Sequence, residues 1–452
     1  MRKQINWRRV RASWTALCMA GLVAMLFGAC ASTGGKMGME PRADNMDPQG
    51  SWPYEPHKRA DKPGKFYING QNEGYVTVFD ANSQKLLKVI NVWEYEYAQV
   101  RKEKGREPTE QEKDFIQKNG RPHHSWITPG GRFTYVSNTG REWDRFWVVD
   151  ARTDEIVGHF NTGGMGPLHG AFSPYRDLAV WGAVQDRKNG VATFIDIRSH
   201  RVLGTVKTSG TQTRDVVFAP DNKHVYITNS GWDPDKGNMG GVDLIDIDAM
   251  KVVKHFDIPG SRGMMITYDG RLIAVASIRK GTVTFIDPTK HEIIKTIEIG
   301  NKPSNIAFDS DGTKAYIGLA GDKQFAVIDL KTMILKTKIA AGKNANRVYL
   351  PPGNKKIAIG TSDGDDFVTI IDMVNDKKIK DIPTPLGAHN VAYTADGKIA
   401  IVSCNKSREA MFIDVEKLEE IGIIDKAGHG NNGVRWAPYG TGLGPDKPYP
   451  AS

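Results

Sequence analysis

The sequence predicts an all-β protein, an eight-bladed β-propeller that is closed by its C-terminal strand and carries one helical insertion. A short alternating strand ending in aspartate recurs eight times, at Asp80, Asp150, Asp196, Asp246, Asp287, Asp329, Asp372 and Asp414. After a first gap of 70 residues the intervals are 46, 50, 41, 42, 43 and 42 residues. Each strand except the first follows two alternating runs around a Pro or Asp-Gly turn, which is a hairpin pattern. Four strands per repeat are typical of a propeller blade, and stacking in a ring buries the faces that one sheet leaves exposed.

The repeat also predicts how the ring closes. The first blade begins part-way, at 65–80 (KFYINGQNEGYVTVFD), with no inner strand before it. A run with the character of an inner strand stands at the other end of the chain, at 433–438. We expect it to complete blade 1, because closure removes exposed sheet edges. The propeller is therefore predicted to span 65–438, with 439–452 as a tail.

Residues 1–29 have the pattern of a signal peptide. Five basic residues precede an uncharged stretch, 14–29, which has the length of a signal-peptide core and is short for a membrane span. Gly28 and Ala29 before Cys30 resemble a bacterial lipobox, so we expect lipid attachment at Cys30. Ordinary signal cleavage and a twin-arginine signal at Arg8-Arg9 are the alternatives. Residues 30–64, rich in Gly, Pro and charge, are predicted to tether the anchor to the fold. The protein is thus expected on the periplasmic face of a bacterial membrane as a lipoprotein, or free in the periplasm.

The charge balance argues against a nucleic-acid partner. The chain has 61 Lys and Arg against 52 Asp and Glu, a net charge of +9, but five of the basic residues lie in the signal peptide. The mature chain keeps 56 basic and 52 acidic residues, which is nearly balanced. The only expected membrane contact is the lipid anchor, with no integral membrane domain. The three cysteines are too few for a disulfide framework or a thiolate zinc site. Cys404, inside a strand, is predicted to be a buried, inert thiol.

Two segments interrupt the repeat. The insertion at 93–121 is rich in Glu, Lys and Gln in its second half, which predicts a helix over 109–118 that stops at Gly120. We expect the insertion to overhang the mouth of the ring, as a solvated surface element, a lid or a partner-docking element. The loop 229–240 of blade 4 carries Asp233, Asp235 and Asn238, a weak likeness to a calcium loop that lacks the downstream Glu.

The chemistry of a propeller is expected at the mouth of the channel, where the inner strands begin. Histidines fall there at His123, His124, His169, His389 and His429, and arginines at Arg214, Arg262 and Arg347. Ring closure places the histidines on one arc, formed by blades 8, 1, 2 and 3, with the arginines across the channel. Several imidazoles aimed into one cavity suit a transition metal or haem iron, and a cationic wall suits carboxylates. The alternative is that these residues only satisfy strand ends in a wet channel. The other histidines are expected to be structural or exposed: His57, His159, His200, His224, His255 and His291.

The repeat at 283–317 (VTFIDPTKHEIIKTIEIGNKPSNIAFDSDGTKAYI) resembles the YVTN-type bacterial propellers. Eight blades with C-terminal closure are similar, more narrowly, to the haem d1-binding propellers, which include the d1 domain of the periplasmic nitrite reductase and relatives in haem d1 biosynthesis. In that group an axial histidine precedes a Ser…Gly-Arg-aromatic hairpin, to which 123–133 (HHSWITPGGRF) corresponds. The resemblance implies that His123 is the proximal ligand and that His389 or His429 lies on the distal side. No CxxCH is present, which excludes a c-type haem.

The adjacent pair His123-His124 also resembles the histidine clusters of copper propellers such as nitrous oxide reductase and thiocyanate dehydrogenase. That resemblance implies a mono- or dinuclear copper site.

The sequence therefore predicts a redox cofactor, a haem d1-like tetrapyrrole or copper, in envelope redox or cofactor-maturation chemistry. An enzyme of this kind would be an oxidoreductase, and an envelope redox protein is its expected partner. Residues expected to contact the cofactor are His123, His124, Arg214, Arg262 and Arg347. Residues expected to ligate a metal are His123, His124, His169, His389 and His429. The alternative is a non-catalytic scaffold that binds a protein or a cell-wall ligand.

Overall fold

The computed structural model describes residues 64–129, 131–184, 190–231, 240–353 and 356–438. In these ranges the chain forms thirty-two strands and two helices, and the strands make eight four-stranded antiparallel sheets. The predicted eight-bladed propeller is therefore confirmed. The predicted signal peptide, Cys30, nearly all of the tether, the C-terminal tail and the polar positions Asp233, Asp235 and Asn238 lie outside the described residues. Neither helix combines the length and the apolar character needed to cross a bilayer.

Each blade runs from an innermost strand at the channel to an outer edge strand. Blade 1 consists of β32 (Asn431–Pro438), β1 (Gly64–Gly70), β2 (Tyr75–Asp80) and β3 (Leu86–Asn91). Blade 2 consists of β4 (Pro122–Ile127), β5 (Phe133–Asn138), β6 (Arg145–Asp150) and β7 (Glu155–Asn161). Blade 3 consists of β8 (Pro167–Phe172), β9 (Leu178–Ala183), β10 (Val191–Asp196) and β11 (Arg201–Lys207). Blade 4 consists of β12 (Thr213–Phe218), β13 (His224–Asn229), β14 (Gly241–Asp246) and β15 (Lys251–Phe256).

The second half of the ring repeats this plan. Blade 5 consists of β16 (Ser261–Ile266), β17 (Ile273–Ser277), β18 (Thr282–Asp287) and β19 (Glu292–Glu298). Blade 6 consists of β20 (Pro303–Phe308), β21 (Lys314–Leu319), β22 (Gln324–Asp329) and β23 (Ile334–Ala340). Blade 7 consists of β24 (Ala345–Tyr349), β25 (Ile357–Ser362), β26 (Phe367–Asp372) and β27 (Lys377–Pro383). Blade 8 consists of β28 (Ala388–Tyr393), β29 (Ile399–Cys404), β30 (Ala410–Asp414) and β31 (Glu419–Ile424).

Blade 1 is completed by the last strand of the chain, as the sequence predicts. β32 pairs antiparallel with β1, from Gly64↔Pro438 to Gly70↔Asn431. The first β-strand thus starts at Gly64, one residue before the predicted boundary.

The recurrent aspartate at the end of the third strand of each blade has a structural cause. Its carboxylate accepts a backbone N–H from the residue two or three positions further on in all eight blades. In blade 5, for example, Asp287 accepts from Thr289 and Lys290 at 2.8 and 3.0 Å. Such Asx-type contacts fix the tight turn into the fourth strand, which explains why the residue recurs.

Among the described residues the hydrophobic core forms eight clusters, one at each interface between neighbouring blades. Across blades 8 and 1, the rings of Phe412 and Phe66 lie 6.0 Å apart. Across blades 2 and 3, Trp126 and Trp181 meet edge to face at 5.5 Å. Cys404 is fully buried in the cluster between blades 7 and 8, which confirms the predicted buried thiol, and burial raises its pKa.

Polar tethers reinforce four of these interfaces. The tyrosine at the middle of a second strand reaches the turn between the third and fourth strands of the next blade. The pairs are Tyr67–Asp154, Tyr135–His200, Tyr226–His291 and Tyr316–Asp376, at 2.5, 2.6, 2.6 and 3.2 Å. Each turn residue has a positive φ between 53° and 56°, which aims its side chain back at the preceding blade. This tether accounts for His200, which the sequence assigns to a structural role.

The insertion is a helical hairpin, α1 (Val92–Lys104) and α2 (Glu110–Asn119). α2 matches the predicted helix and begins with a capping box between Thr109 and Glu112. α1 is not predicted, because VWEYEY alternates like a strand. Its side chains nevertheless pack at helical spacing, with Val92 and Glu96 both buried. Glu96 accepts a hydrogen bond from Trp147 Nε1 at 2.8 Å, which ties the hairpin to β6, outward of the channel.

We predict that the tether between blades 1 and 2 contributes strongly to stability. Lys65 is 2% exposed and donates to Asp154 Oδ1, as does Tyr67. Asp154→Asn keeps a residue that tolerates the positive φ but removes the carboxylate charge beside a buried ammonium. It should lower the free energy of unfolding by about 3 kcal/mol in urea denaturation. Tyr67→Phe, which removes one hydrogen bond, should cost about 1 kcal/mol. Equal losses for the two variants would contradict the charge argument.

Candidate functional site

The mouth of the channel is built from irregular starts of the inner strands. In β4, β12, β16 and β20 two consecutive residues interrupt the pairing with the second strand. One residue interrupts it in β8, β24, β28 and β32. Bulges of this kind re-aim side chains away from the alternation of a regular strand. The residues at these irregular positions include His123, His124, Arg214, Asp215, Arg262, Asn305, Asn346, His389 and Asn432.

The pair His123 and His124 lies at the bulge of β4, with ring centroids 4.4 Å apart. His123 Nδ1 is 2.9 Å from Gln71 Oε1, an amide oxygen that also accepts from Asn432 Nδ2 at 2.7 Å. Because Gln71 Oε1 accepts, His123 Nδ1 carries the proton and Nε2 keeps its lone pair. Burial, followed by the other rim histidines and arginines, lowers the pKa of both imidazoles well below the usual value. His123 and His124 are therefore neutral at physiological pH.

His124 is enclosed more tightly than His123. It is 2% exposed, and its ring centroid lies 5.9 Å from that of His169 in blade 3. Its Nδ1 is buried without a hydrogen-bond partner among the described residues. A Cβ at Gly433 would come within 2.6 Å of that nitrogen, so the last strand of the chain must carry glycine there.

His169 and His389 share one arrangement, between a carboxylate and a guanidinium. His169 Nδ1 lies 3.2 Å from Asp215 Oδ1, and its Nε2 lies 3.2 Å from Arg214 Nη2. His389 repeats this with Asp363 at 2.8 Å and Arg347 at 3.5 Å. Since a guanidinium only donates, each Nε2 accepts and each Nδ1 donates. These two imidazoles become metal ligands only if their arginines move away.

Two of the three predicted arginines, Arg214 and Arg347, stand beside a histidine of the neighbouring blade, so they do not form a separate cationic wall. Arg214 and Arg347 each bond a histidine of the adjacent blade, because the bulges bring neighbouring strand starts within reach. Burial, then the charge of Arg262, lowers the pKa of Arg214 to about 9. Burial, then Arg347, also lowers the pKa of Arg262. The channel thus concentrates positive charge in a poorly solvated place.

A fourth arginine and two carboxylates join the site without having been predicted. Arg435 of β32 is 3% exposed, and its guanidinium lies 5.0 Å from the centroid of the Trp126 ring. Burial alone would raise the pKa of Asp215 and Asp363. Hydrogen bonds from His169 and His389 and the neighbouring arginines instead hold both below the usual value. Four arginines therefore face two ionised aspartates, and the balance is cationic.

The channel contains two connected cavities. The one at the histidines has an empty volume of about 500 Å³, part of it open solvent, and is lined by His124, His169, Arg347 and Arg435, among others. The deeper one, toward the ends of the inner strands, has an empty volume of about 830 Å³, part of it open solvent. It shares Arg347 and Arg435 with the first and has aromatic walls that include Tyr268, Phe308 and Tyr393. His429 is exposed, bonds Asn72 at 3.2 Å and lies outside these linings.

The predicted rim ligands do not meet at one point as the side chains stand. Within the described ranges, one group of three His, Cys, Asp or Glu side chains has all its ligand atoms within 4.8 Å. That group is Asp221, His224 and His291, away from the rim. His123 and His124 are adjacent, whereas His169 and His389 are held by arginines and His429 is exposed.

Comparison with known families places the fold. The family model described as "Lactonase, 7-bladed beta-propeller" matches residues 57–293, just over half of the chain. The chain belongs to this family. The structure has eight blades, one more than the family description states.

Relatives of this lactonase-family chain are distant. The uncharacterized protein YncE of Salmonella typhi is 22% identical over 230 residues, which is 48% of this chain and 63% of that protein. The chain therefore matches less than two thirds of the length of this curated relative. Among solved structures, Kuenenia stuttgartiensis hydrazine synthase matches with a TM-score of 0.52 and 20% identity over 76% of this chain and 99% of that chain. Apo AztD from Citrobacter koseri matches with a TM-score of 0.59 and 11% identity over 83% and 98%. These matches confirm a bacterial propeller of the YVTN type. At this level of identity the solved structures establish the fold and nothing about function.

Sequence reasoning missed several site residues of this lactonase-family propeller. Arg435 and Asp215 belong to inner strands, so a search of the strand starts for every polar residue, beyond His and Arg alone, could have found Asp215. Gln71 and Asp363 follow second strands, in loops where the repeat shows no common pattern. Only the folded ring shows that those loops reach the inner-strand histidines.

We predict that the His169 imidazole titrates with a midpoint near pH 4, because burial and then Arg214 lower its pKa to about 4. NMR titration of the ring, assigned with His169→Gln, measures it. Its folded pKa lies below the unfolded value of about 6.5, so its contribution to stability is complete above pH 6.5 and is lost as the pH falls toward 4. That loss amounts to about 3 kcal/mol. Arg214→Met should raise the midpoint, and a wild-type midpoint near 6.5 would contradict the assignment.

Proposed function

We propose that this chain is an exported propeller that binds a haem d1-like iron tetrapyrrole in its central channel and serves envelope redox or cofactor-maturation chemistry. The observation that carries the proposal is a neutral imidazole pair, half-buried His123 and buried His124, beside a cluster of half-buried arginines and the buried Arg435. Haem iron takes a neutral imidazole as an axial ligand, and its macrocycle bears carboxylates.

His123 is the best-suited iron ligand in this channel. Gln71 holds its Nδ1 proton, and the described residues give Nε2 no hydrogen-bond partner. An imidazole oriented by a hydrogen bond to its other nitrogen is the usual arrangement of a metal-ligating histidine. Gln71 is itself fixed by Asn432, so the closing strand orients the ligand.

The arginines favour a metal that arrives with its own negative charge. Arg214 and Arg347 contribute to lowering the pKa of His123, so their field disfavours positive charge at that ring. A bare copper ion at His123 would meet the same repulsion, whereas the carboxylates of a tetrapyrrole would be attracted. For this reason we favour the tetrapyrrole over copper.

The remaining residues have identifiable roles in such a site. Arg214, Arg262, Arg347 and Arg435 would bind the carboxylates, and the aromatic walls of the deeper cavity would exclude water from the macrocycle faces. Asp215 and Asp363 hold His169 and His389 in one orientation. A bound iron tetrapyrrole would supply one-electron redox chemistry, at a potential set by the axial ligand and its surroundings.

Reconstitution with an iron tetrapyrrole tests the proposal. The purified full chain should bind one equivalent and gain a visible spectrum with a histidine-ligated Soret band. His123→Ala, alone and with His124→Ala, should lose that ligation and weaken binding at least tenfold. Arg214→Met should weaken binding while preserving the ligation band. His159→Gln, in the outer strand of blade 2, is the matched control and should bind as the wild type does.

Other outcomes separate the alternatives. Stoichiometric copper without tetrapyrrole binding would favour the copper site. A colourless, metal-free protein whose partner capture is abolished by charge reversal on the insertion would favour the scaffold. Turnover of a lactone by such a colourless protein would also overturn the proposal.

We also propose that the chain is exported and anchored through a lipid on Cys30. The basic segment, the short apolar stretch and the small residues before Cys30 support this. In a bacterial host, the wild type should incorporate labelled palmitate and fractionate with membranes. Cys30→Ser should lose the label, and Cys404→Ser should keep it. Equal labelling of wild type and Cys30→Ser would contradict lipidation at this position.

A further inference from the structure

We propose a second site, for a zinc-class divalent cation, at the seam between blades 4 and 5. Its ligands are Asp221, His224 and His291, whose ligand atoms all lie within 4.8 Å of one another. Nothing in the channel contributes to it, so it stands independently of the tetrapyrrole proposal.

The fold brings the three side chains together from two blades. Asp221 lies in the turn between β12 and β13, and His224 begins β13. His291 lies in the turn between β18 and β19 of the next blade, with a φ of 55°. Both turns stand at the end of the ring opposite the strand starts that form the mouth, because strands alternate in direction. The cation would therefore bridge two blades on the face away from the histidine rim.

The distances suit a small cation. His291 Nε2 lies 3.4 Å from Asp221 Oδ2, and His224 Nδ1 lies 2.6 Å from the same oxygen. Ligand atoms around a tetrahedral zinc ion are about 3.3 Å apart. The separation of His291 Nε2 from Asp221 Oδ2 already matches this value. His224 Nδ1 is closer to that oxygen and would have to move away from it by less than the length of a bond. The rings of His224 and His291 lie 4.8 Å apart.

The surroundings orient the ligands as a metal site requires. Asp221 Oδ1 accepts the backbone N–H groups of Lys223 and His224, which leaves Oδ2 for the cation. Tyr226 OH bonds His291 Nδ1 at 2.6 Å, so Nε2 is the nitrogen that faces Asp221. Such a partner on the far nitrogen is typical of metal-ligating histidines.

The charges permit a cation here. Burial would raise the pKa of Asp221, but bonds from His224 and from backbone N–H groups hold it below the usual value, so the carboxylate is ionised. Burial and then His224 lower the pKa of His291, so that ring is neutral. The ammonium of Lys254 donates to the His291 carbonyl oxygen at 2.6 Å, and its positive charge opposes the cation. The three side chains are 20–30% exposed, which gives a cation access from solvent.

A matched control exists in the chain. The tether between blades 2 and 3 repeats the arrangement, with Tyr135 OH bonding His200 Nδ1 at 2.6 Å. The corresponding turn of blade 2, at 129–132, contains no histidine or aspartate. His200→Ala therefore removes a tether of the same kind without removing a ligand of the proposed site.

Cobalt titration tests the proposal, with Co²⁺ as the spectroscopic probe and Zn²⁺ as the competitor. The full chain carrying His123→Ala and His124→Ala, which weakens the rim, should bind Co²⁺ with a visible ligand-field band that Zn²⁺ displaces. Adding His224→Ala and His291→Ala should weaken this binding at least tenfold, and adding His200→Ala should not change it. Asp221→Asn, which preserves the backbone contacts, should also weaken Co²⁺ binding at least tenfold. This single variant tests the site even if the double variant fails to fold. The site would be overturned if neither the His224→Ala and His291→Ala pair nor Asp221→Asn weakened Co²⁺ binding. It would also be overturned if no band displaceable by Zn²⁺ appeared. Neither result depends on what the channel binds.

Discussion

The pairing of β32 with β1 is the constraint on which the ring and its mouth depend. A first blade without an inner strand would leave the inner edge of β1 unpaired, and β32, from the other end of the described chain, pairs with that edge. The same pairing carries Asn432 to Gln71 and Arg435 to Trp126. It also seats Gly433 against His124, where a side chain has no room. Closure of the fold and assembly of the candidate site are therefore one event.

Irregular inner-strand starts convert that ring into a site. A regular strand would direct successive side chains alternately into the channel wall and the blade interface. The bulges release pairs such as His123-His124 and Arg214-Asp215 from the alternation, so both members of each pair reach the mouth region. Hydrogen bonds then form between adjacent blades, such as that of Arg214 with His169. They satisfy polar groups that would otherwise be buried without partners.

The fold could be predicted from sequence because its information is local and repeated eight times. The aspartate turns, the hairpins and the missing first strand each have a short-range physical cause. The site was predictable only in part. The rim positions of His123, His124 and Arg214 follow from the repeat, but which nitrogen is free depends on Gln71 and Asp215, and the register of the bulges decides those contacts. α1 was missed because VWEYEY alternates like a strand, while its partner Trp147 lies about fifty residues further on. His224 and His291 looked like isolated turn residues because they meet only across a blade interface.

The two histidine clusters differ in the charge that accompanies them, and this difference decides what each can hold. At the mouth, both aspartates are already engaged by His169 and His389, and four arginines surround the neutral imidazoles. A metal can remain there only if it brings negative charge with it, as an anionic macrocycle does. Between blades 4 and 5, Asp221 offers one carboxylate oxygen to both imidazoles. That cluster supplies its own counter-charge, so it can accept a bare divalent cation. The same residue types thus serve opposite ligand classes, because the bulges bring arginines together at the channel mouth and the turns bring an aspartate to the opposite face.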